Sequence, residues 1–219
     1  MQTLRGLIIG PAGSGKSTLA REIVREMMSG RDRPAHLAIV DTSDEWAELA
    51  TAHAVITQAA NDMAPQTRWR DLIKYHRRVL FELAAPDTAH FAAAIGRAVM
   101  GLGNSLVVID EAHHIAHSRA PLELLALWTG GRKNAVHTLA ITQRLTRAQQ
   151  IGLNMTLVNN STTLFVFRVT EPREIEKIGQ IMPAELAARV PDLRPPAAGQ
   201  PPEYVMYDMR TGRGEVVSP

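Results

Sequence analysis

The chain's 219 residues suffice for one well-buried domain, or for two only if both were small. Hydrophobic residues at 45% and charged residues at 21% give the balance of a soluble globular protein, and apolar runs such as Leu106–Ile109 are far too short to span a bilayer. Cysteine is absent, which excludes a disulfide framework and a thiolate metal site, and a formal net charge of +2 does not by itself make a nucleic-acid binder.

Leu4–Ile9 reads as a strand running straight into a glycine-rich stretch, not as a signal peptide. Lys16 to about Met28 is a helix: Leu19, Ile23, Val24 and Met27 share one face, and Gly30 stops it. His36–Asp41 is a second strand, Ala54–Thr57 a short third and Arg77–Leu83 a fourth. Thr88 caps a helix through about Met100, broken by Gly101-Leu102-Gly103. Ser105–His114 is a buried strand ending in acids, and Pro121–Trp128 is a helix with proline in its first turn. His137–Gln143 and Thr162–Val169 are two more strands, and Glu171–Ile181 is a short helix. Pro191–Glu203 holds five prolines and reads as an extended linker. It leads to two β-prone runs flanking Arg210–Gly214, a β-hairpin. The alternation of strands and helices predicts an α/β domain with a mostly parallel sheet over residues 1–187. Residues 188–219 are the appended linker and hairpin. The basic residues are twenty arginines and four lysines, a skew that reads as coding bias for most of them.

Gly10-Pro11-Ala12-Gly13-Ser14-Gly15-Lys16-Ser17, followed by Thr18, matches the full phosphate-loop pattern between a strand and a helix. Glycines let successive backbone N–H groups face the phosphates of ATP, and the helix N-terminus adds its positive dipole end. Lys16 then reaches the β- and γ-phosphates, and the Ser17 hydroxyl is a ligand for Mg²⁺. A glycine-rich turn without a ligand is the competing reading, and the strand–helix context weighs against it.

Asp110 closes the buried strand where a carboxylate can hold Mg²⁺, and Glu111 next to it can orient and deprotonate a water. The alternative is a pair of acids capping the next helix. A small-molecule kinase must exclude water, so the acid pair points to an ATPase that turns hydrolysis into movement. Gln143 ends the following strand, where its amide can donate to phosphate and accept from water; plain solvation of a strand end is the alternative. Arg132, on a tight turn within Thr129–Asn134, is placed either to reach a neighbouring subunit's γ-phosphate or to be solvated, with Arg119 and Arg144 as competitors. Arg144 and Arg147 either couple the strand to a pore or form a solvated face. Asp110–His113 spells a helicase motif, but such enzymes need two RecA-like domains and this chain has room for one. His113 and His117 stand four apart like metal ligands, lack the glutamate of a zinc protease between them, and read as surface or supporting histidines.

Over roughly residues 4–180 the chain resembles the FtsK/HerA superfamily of P-loop motors. The likeness is carried by Ile39–Leu49 with its Glu-aromatic pair, by Ser105–Ile115, and by the Gly130–Arg144 segment ending in Gln-Arg. The resemblance implies a RecA-like fold and ATP hydrolysis on Mg²⁺. It also implies a homo-oligomeric ring, pentameric or hexameric, that pumps double-stranded DNA. Lys16, Ser17, Asp110, Glu111 and Gln143 would take the roles above, with Arg132 as the arginine finger. Cellular members carry added modules for which there is no room here. A bare motor domain is similar to the genome-packaging ATPases of tailless, internal-membrane viruses. The expectation is a protein of the host cytoplasm, or of the virion, meeting a vertex or portal protein at an internal membrane. A Zot-like phage-assembly ATPase and a small-molecule P-loop kinase are the alternatives.

Overall fold

A computed structural model of the protein describes residues 3–41, 45–56, 66–84, 88–117, 120–145 and 153–219. The chain alternates as the sequence suggests: β1 (Arg5–Ile9), α1 (Lys16–Ser29), β2 (His36–Asp41), β3 (Ala52–Ile56), α2 (Gln66–His76), β4 (Arg78–Leu83), α3 (Thr88–Leu102) and β5 (Ser105–Ile109). It continues through α4 (Ala112–Ile115), α5 (Leu122–Gly130), β6 (Val136–Thr142), α6 (Met155–Asn160), β7 (Thr163–Phe167), α7 (Pro172–Ile181), α8 (Ala184–Ala187), β8 (Tyr204–Asp208) and β9 (Arg213–Val217).

The nine strands among the described residues join one sheet in the order β3-β4-β2-β5-β6-β1-β7-β8-β9. The first seven in that order run parallel, and the hairpin β8-β9 extends the sheet antiparallel from β7. Every residue of β5 and β6 is buried, as parallel strands covered on both faces require. One face carries α1, whose Ala20, Val24 and Met28 pack with Ile8, Ile39, Val108 and Ile141. The other face is covered by α2, α3, α5, α6 and α7, around Ile73, Phe91, Leu124, Trp128, Leu157 and Ile178. The fold is the expected mostly parallel sheet between helices, with a C-terminal hairpin.

Several elements differ from the sequence reading. No helix is foreseen at α2, yet Trp69 and Ile73 form a buried stripe there, and Trp69 meets Phe81 edge-on at 5.7 Å. Helix α6, also unforeseen, is capped by Asn154, whose side chain accepts from Thr156 N. The strand expected over Ser105–His114 stops at Ile109, because Glu111 takes a left-handed φ of 47° and starts α4. The end of the short third strand at Thr57, and Arg119 and Arg147, lie outside the described residues.

The proline-rich segment folds back on itself instead of running extended. Ala197 and Gln200 exchange backbone hydrogen bonds across a turn, and Glu203 N donates to Arg194 O. The Arg194 guanidinium donates to Pro201 O, and Glu203 accepts from Arg194 N. Among the described residues, no helix is long and apolar enough to cross a membrane.

His137 at the start of β6 ties the sheet to the chain entering β1, accepting from Leu4 N through Nδ1 at 3.0 Å. Burial pushes its imidazolium below the usual value of 6.5, and burial acts on His36 in the same direction. A histidine that binds its proton more weakly when folded contributes stability that is whole above pH 6.5 and is lost as the pH falls below it. The thermal midpoint should therefore fall between pH 7 and pH 5.5. His137→Asn, which keeps an acceptor near Nδ1 and cannot titrate, should flatten that slope; an unchanged slope would contradict the assignment.

Candidate nucleotide-binding site

The site lies at the carboxyl ends of the parallel strands. The loop Gly10–Gly15 leaves β1 there, and Gly10 N donates to Thr142 O at 3.2 Å, binding the loop to the end of β6. Two glycines are sterically required. A Cβ on Gly10 would lie 2.7 Å from Phe167 Cβ, and one on Gly15, at φ 96°, would lie 2.7 Å from Pro202 Cγ. The loop is thus pressed between β7 and the folded-back proline segment. Helix α1 begins at Lys16 with no side-chain cap and no acid in its first turn, leaving its leading amides to an anion. Ser14 Oγ is buried in the loop without a hydrogen-bond partner among the described residues. Both features suit a phosphate chain.

Lys16 is only 6% exposed. Its ammonium donates to Pro11 O at 2.7 Å. Burial lowers its pKa, while the carboxylates of Glu111, Asp110 and Glu45 act the other way. Asp110, 5% exposed, has both oxygens fixed. Oδ2 accepts from Trp46 Nε1 at 2.7 Å, and Oδ1 accepts from Glu111 N at 2.8 Å. Each oxygen keeps a lone pair for a cation's water, and Ser17 follows Lys16 on the first turn of α1, so the donor set is the all-oxygen one that Mg²⁺ takes.

The left-handed backbone at Glu111 turns its carboxylate toward β6. There Oε1 accepts from Gln143 Nε2 at 2.5 Å, and Oε2 lies 3.2 Å from His113 Nδ1. Left-handed backbone at a residue with a side chain costs on the order of 1–2 kcal/mol, which marks the position as constrained by something other than local preference. Just beyond Gln143, Leu145 N donates to Glu174 Oε2 at 2.8 Å, and Glu174 is buried at the start of α7. That bond fixes the path of the strand end that presents Gln143.

The fold therefore brings together Gly10–Thr18, Asp110, Glu111 and Gln143. It does not bring Arg132 to them. Arg132 is exposed on a short turn, Gly131–Asn134, ahead of β6, near Arg5 at the start of β1. The seven residues of β6 lie between it and Gln143, roughly 20 Å at a strand's rise per residue. Arg144 is exposed beside Gln143. His113 is buried and faces Glu111, and among the described residues Glu111, His113 and His114 stand close enough together to share one ligand position. Trp46 and Glu174 escape the sequence reading as site-builders. Trp46 carries a signal, standing in the Glu-aromatic pair; Glu174 carries none. Residues 42–44 of that segment lie outside the described residues.

The AAA domain family matches residues 2–149, more than half of the chain. Among solved structures, the genome packaging NTPase B204 from Sulfolobus turreted icosahedral virus 2, in complex with ATP-gammaS, superposes with a TM-score of 0.75 at 16% identity, covering 98% of this chain and 96% of that one. The DNA-packaging ATPase B204 from Sulfolobus turreted icosahedral virus gives a TM-score of 0.69 at 15% identity, covering 100% and 99%. The bacterial conjugative coupling protein TrwB, in complex with sulphate, gives 0.63 at 12% identity, covering 97% and 84%. No curated protein matches in sequence. The neighbours share the fold of this chain.

Trp46 is fully buried, and its indole N–H is the partner that holds Asp110 Oδ2. Trp46→Phe keeps an aromatic ring but removes the donor and part of the buried volume, leaving a buried carboxylate oxygen short of one bond. It should lower the free energy of unfolding by about 1–3 kcal/mol in urea titrations. A change within error would show that the bond does not hold Asp110.

Proposed function

Since the chain belongs to the AAA domain family, we propose that this P-loop ATPase is a motor that translocates double-stranded DNA, with viral genome packaging as its task. The observation that carries hydrolysis is the Glu111 carboxylate, accepting from Gln143 and standing beside the cationic Lys16 at the mouth of the phosphate loop.

In this reading the loop amides and Lys16 hold the triphosphate of ATP and draw negative charge toward the γ-phosphate. Ser17 and Asp110 would hold Mg²⁺, which when bound neutralises charge on the β- and γ-oxygens. Gln143 orients a water, and Glu111 takes its proton as the water oxygen bonds to the γ-phosphorus. The bond to the bridging oxygen breaks, releasing ADP and phosphate. A kinase of small molecules would have to keep water from that carboxylate, which disfavours that alternative.

The whole-chain likeness to packaging NTPases supports the cargo and the task. Arg132 belongs to a second copy's site in this reading. At the far end of β6 it meets a γ-phosphate only across a ring interface, where a finger is worth roughly 10³–10⁵ in rate.

Purified protein should hydrolyse Mg-ATP faster when duplex DNA is added. Equal rates with and without DNA would count against the motor. Glu111→Gln should bind ATP like the wild type while turnover drops by about 10²–10⁴-fold, measured by phosphate release; retained turnover would place the base elsewhere. Arg132→Ala should bind ATP normally and lose kcat. An unchanged kcat would remove Arg132 from the site.

A further inference from the structure

The nucleotide site occupies the carboxyl ends of the parallel strands. The opposite edge of the sheet is where the chain enters them. There the turn between α1 and β2 brings Arg31 and Arg33 beside Arg77 and Arg78, which lead into β4. Leu37 of β2 pairs with Arg78 of β4, so the two segments meet at one edge. The four arginines line a cavity of about 330 Å³, together with Pro34 and Ala35. A second cavity, of about 370 Å³, adjoins it through Arg33 and Arg78 and reaches Arg25. The six residues of β2 separate this edge from Asp41, roughly 20 Å at a strand's rise per residue.

We propose that this arginine-lined edge binds the phosphate backbone of duplex DNA. The inference rests on the DNA-motor reading and adds to it a surface for the cargo, remote from the nucleotide. Three observations carry it. First, the charge is unbalanced. Among the described residues, none of Arg31, Arg33, Arg77 and Arg78 forms an ion pair. Arg25 at the rim is matched by Glu48, and the other acids of these segments, Glu26 and Asp32, are exposed. Four cations around one cavity repel one another, and a bound anion removes that repulsion.

Second, the backbone that carries the arginines is fixed. Arg77 N donates to Ile73 O at 2.8 Å, Leu37 N donates to Arg77 O at 2.7 Å, and Thr51 N donates to Arg78 O at 2.9 Å. Ala35 N donates to Asn104 O at 2.8 Å, next to the buried Pro34. Arg77 closes α2 in a left-handed conformation, φ 64°, where glycine is the usual residue. Third, the residue type suits repeated phosphates. The planar guanidinium takes phosphate oxygens in pairs, and duplex DNA presents one charge for about every 1.7 Å of helix axis. Four arginines from two segments match a row of anions better than a single small one. Arg132, ahead of β6, does not line this cavity and keeps its place toward the neighbouring copy.

The test follows binding of a fluorescein-labelled duplex by anisotropy across a salt series. The proteins are the wild type, R31Q/R33Q, R77Q/R78Q and the charge-matched control R189Q/R213Q, whose arginines are exposed elsewhere. Basal ATPase rates and thermal midpoints are recorded alongside. Each patch variant should weaken duplex binding about tenfold and lower the slope of log K against log salt by about 1–2. The loss should be equal for two duplexes of unrelated sequence, because phosphate contacts carry no sequence information. The control should bind like the wild type, and ATPase without DNA should be unchanged in all variants. If R77Q/R78Q melts early, R31Q/R33Q, on an exposed turn, decides alone. The inference is overturned if the patch variants bind duplex like the wild type, if the control loses as much, or if the loss depends on duplex sequence. Phosphatidylglycerol vesicles form a parallel arm. Vesicle binding that needs these arginines, with duplex binding unchanged, overturns the inference in favour of a lipid surface. A wild type that binds no duplex overturns the motor reading and this inference together. Wild-type ATPase stimulated by duplex, with stimulation and affinity intact in both patch variants, keeps the motor reading and overturns this inference alone.

Discussion

The register between three parallel strands is the constraint on which the site depends. Ile9 of β1 pairs with Thr142 of β6, and Ile109 of β5 pairs with Ala140. The strands therefore end within two residues of one another at the same edge. The residues that follow, Gly10, Gln143 and the Asp110-Glu111 pair, emerge together although the sequence holds them up to 133 positions apart. Shifting one parallel strand by a single residue would turn its side chains to the opposite face of a sheet buried on both sides, so the hydrophobic core and the site enforce the same register. Beta-6 outruns β5 by two residues, and that stagger sets Gln143 against the Glu111 carboxylate.

Buried charge is the second determinant. Lys16 and Asp110 are both almost fully enclosed, and separating either from its partners would leave an uncompensated charge. The fold assigns each a fixed neighbour: Pro11 O for the ammonium, Trp46 and the Glu111 amide for the carboxylate. Groups fixed before a substrate arrives are the condition for electrostatic stabilisation of a transition state. The same economy extends outward through Glu174, whose buried carboxylate anchors the backbone after Gln143.

Much of this was legible in the sequence. The phosphate loop and the acid pair sit at strand ends that their apolar runs announce, and periodicity separated most strands from most helices. What escaped did so for physical reasons. Helix α2 has only a narrow stripe, Trp69 and Ile73, between charged residues, so its helical signal is weak until Phe81 is there to receive it. Glu111 closes its strand early through a left-handed backbone that no residue preference predicts. The prolines of 194–203 suggested an extended chain because proline removes backbone donors. The donors of Arg194 and Glu203 supplied the closure instead. Arg132 shows the limit of reading along a chain: eleven residues from Gln143 in sequence, it lies at the opposite end of β6.

The central claim is that hydrolysis at Glu111 is converted into movement along DNA. The most direct measurement is displacement of a labelled third strand from a triplex-bearing duplex, followed in real time with the wild-type protein and Mg-ATP. The account predicts displacement that requires hydrolysable ATP and is lost in Glu111→Gln. ATP turnover without any displacement, on duplexes long enough to load a ring, would contradict it.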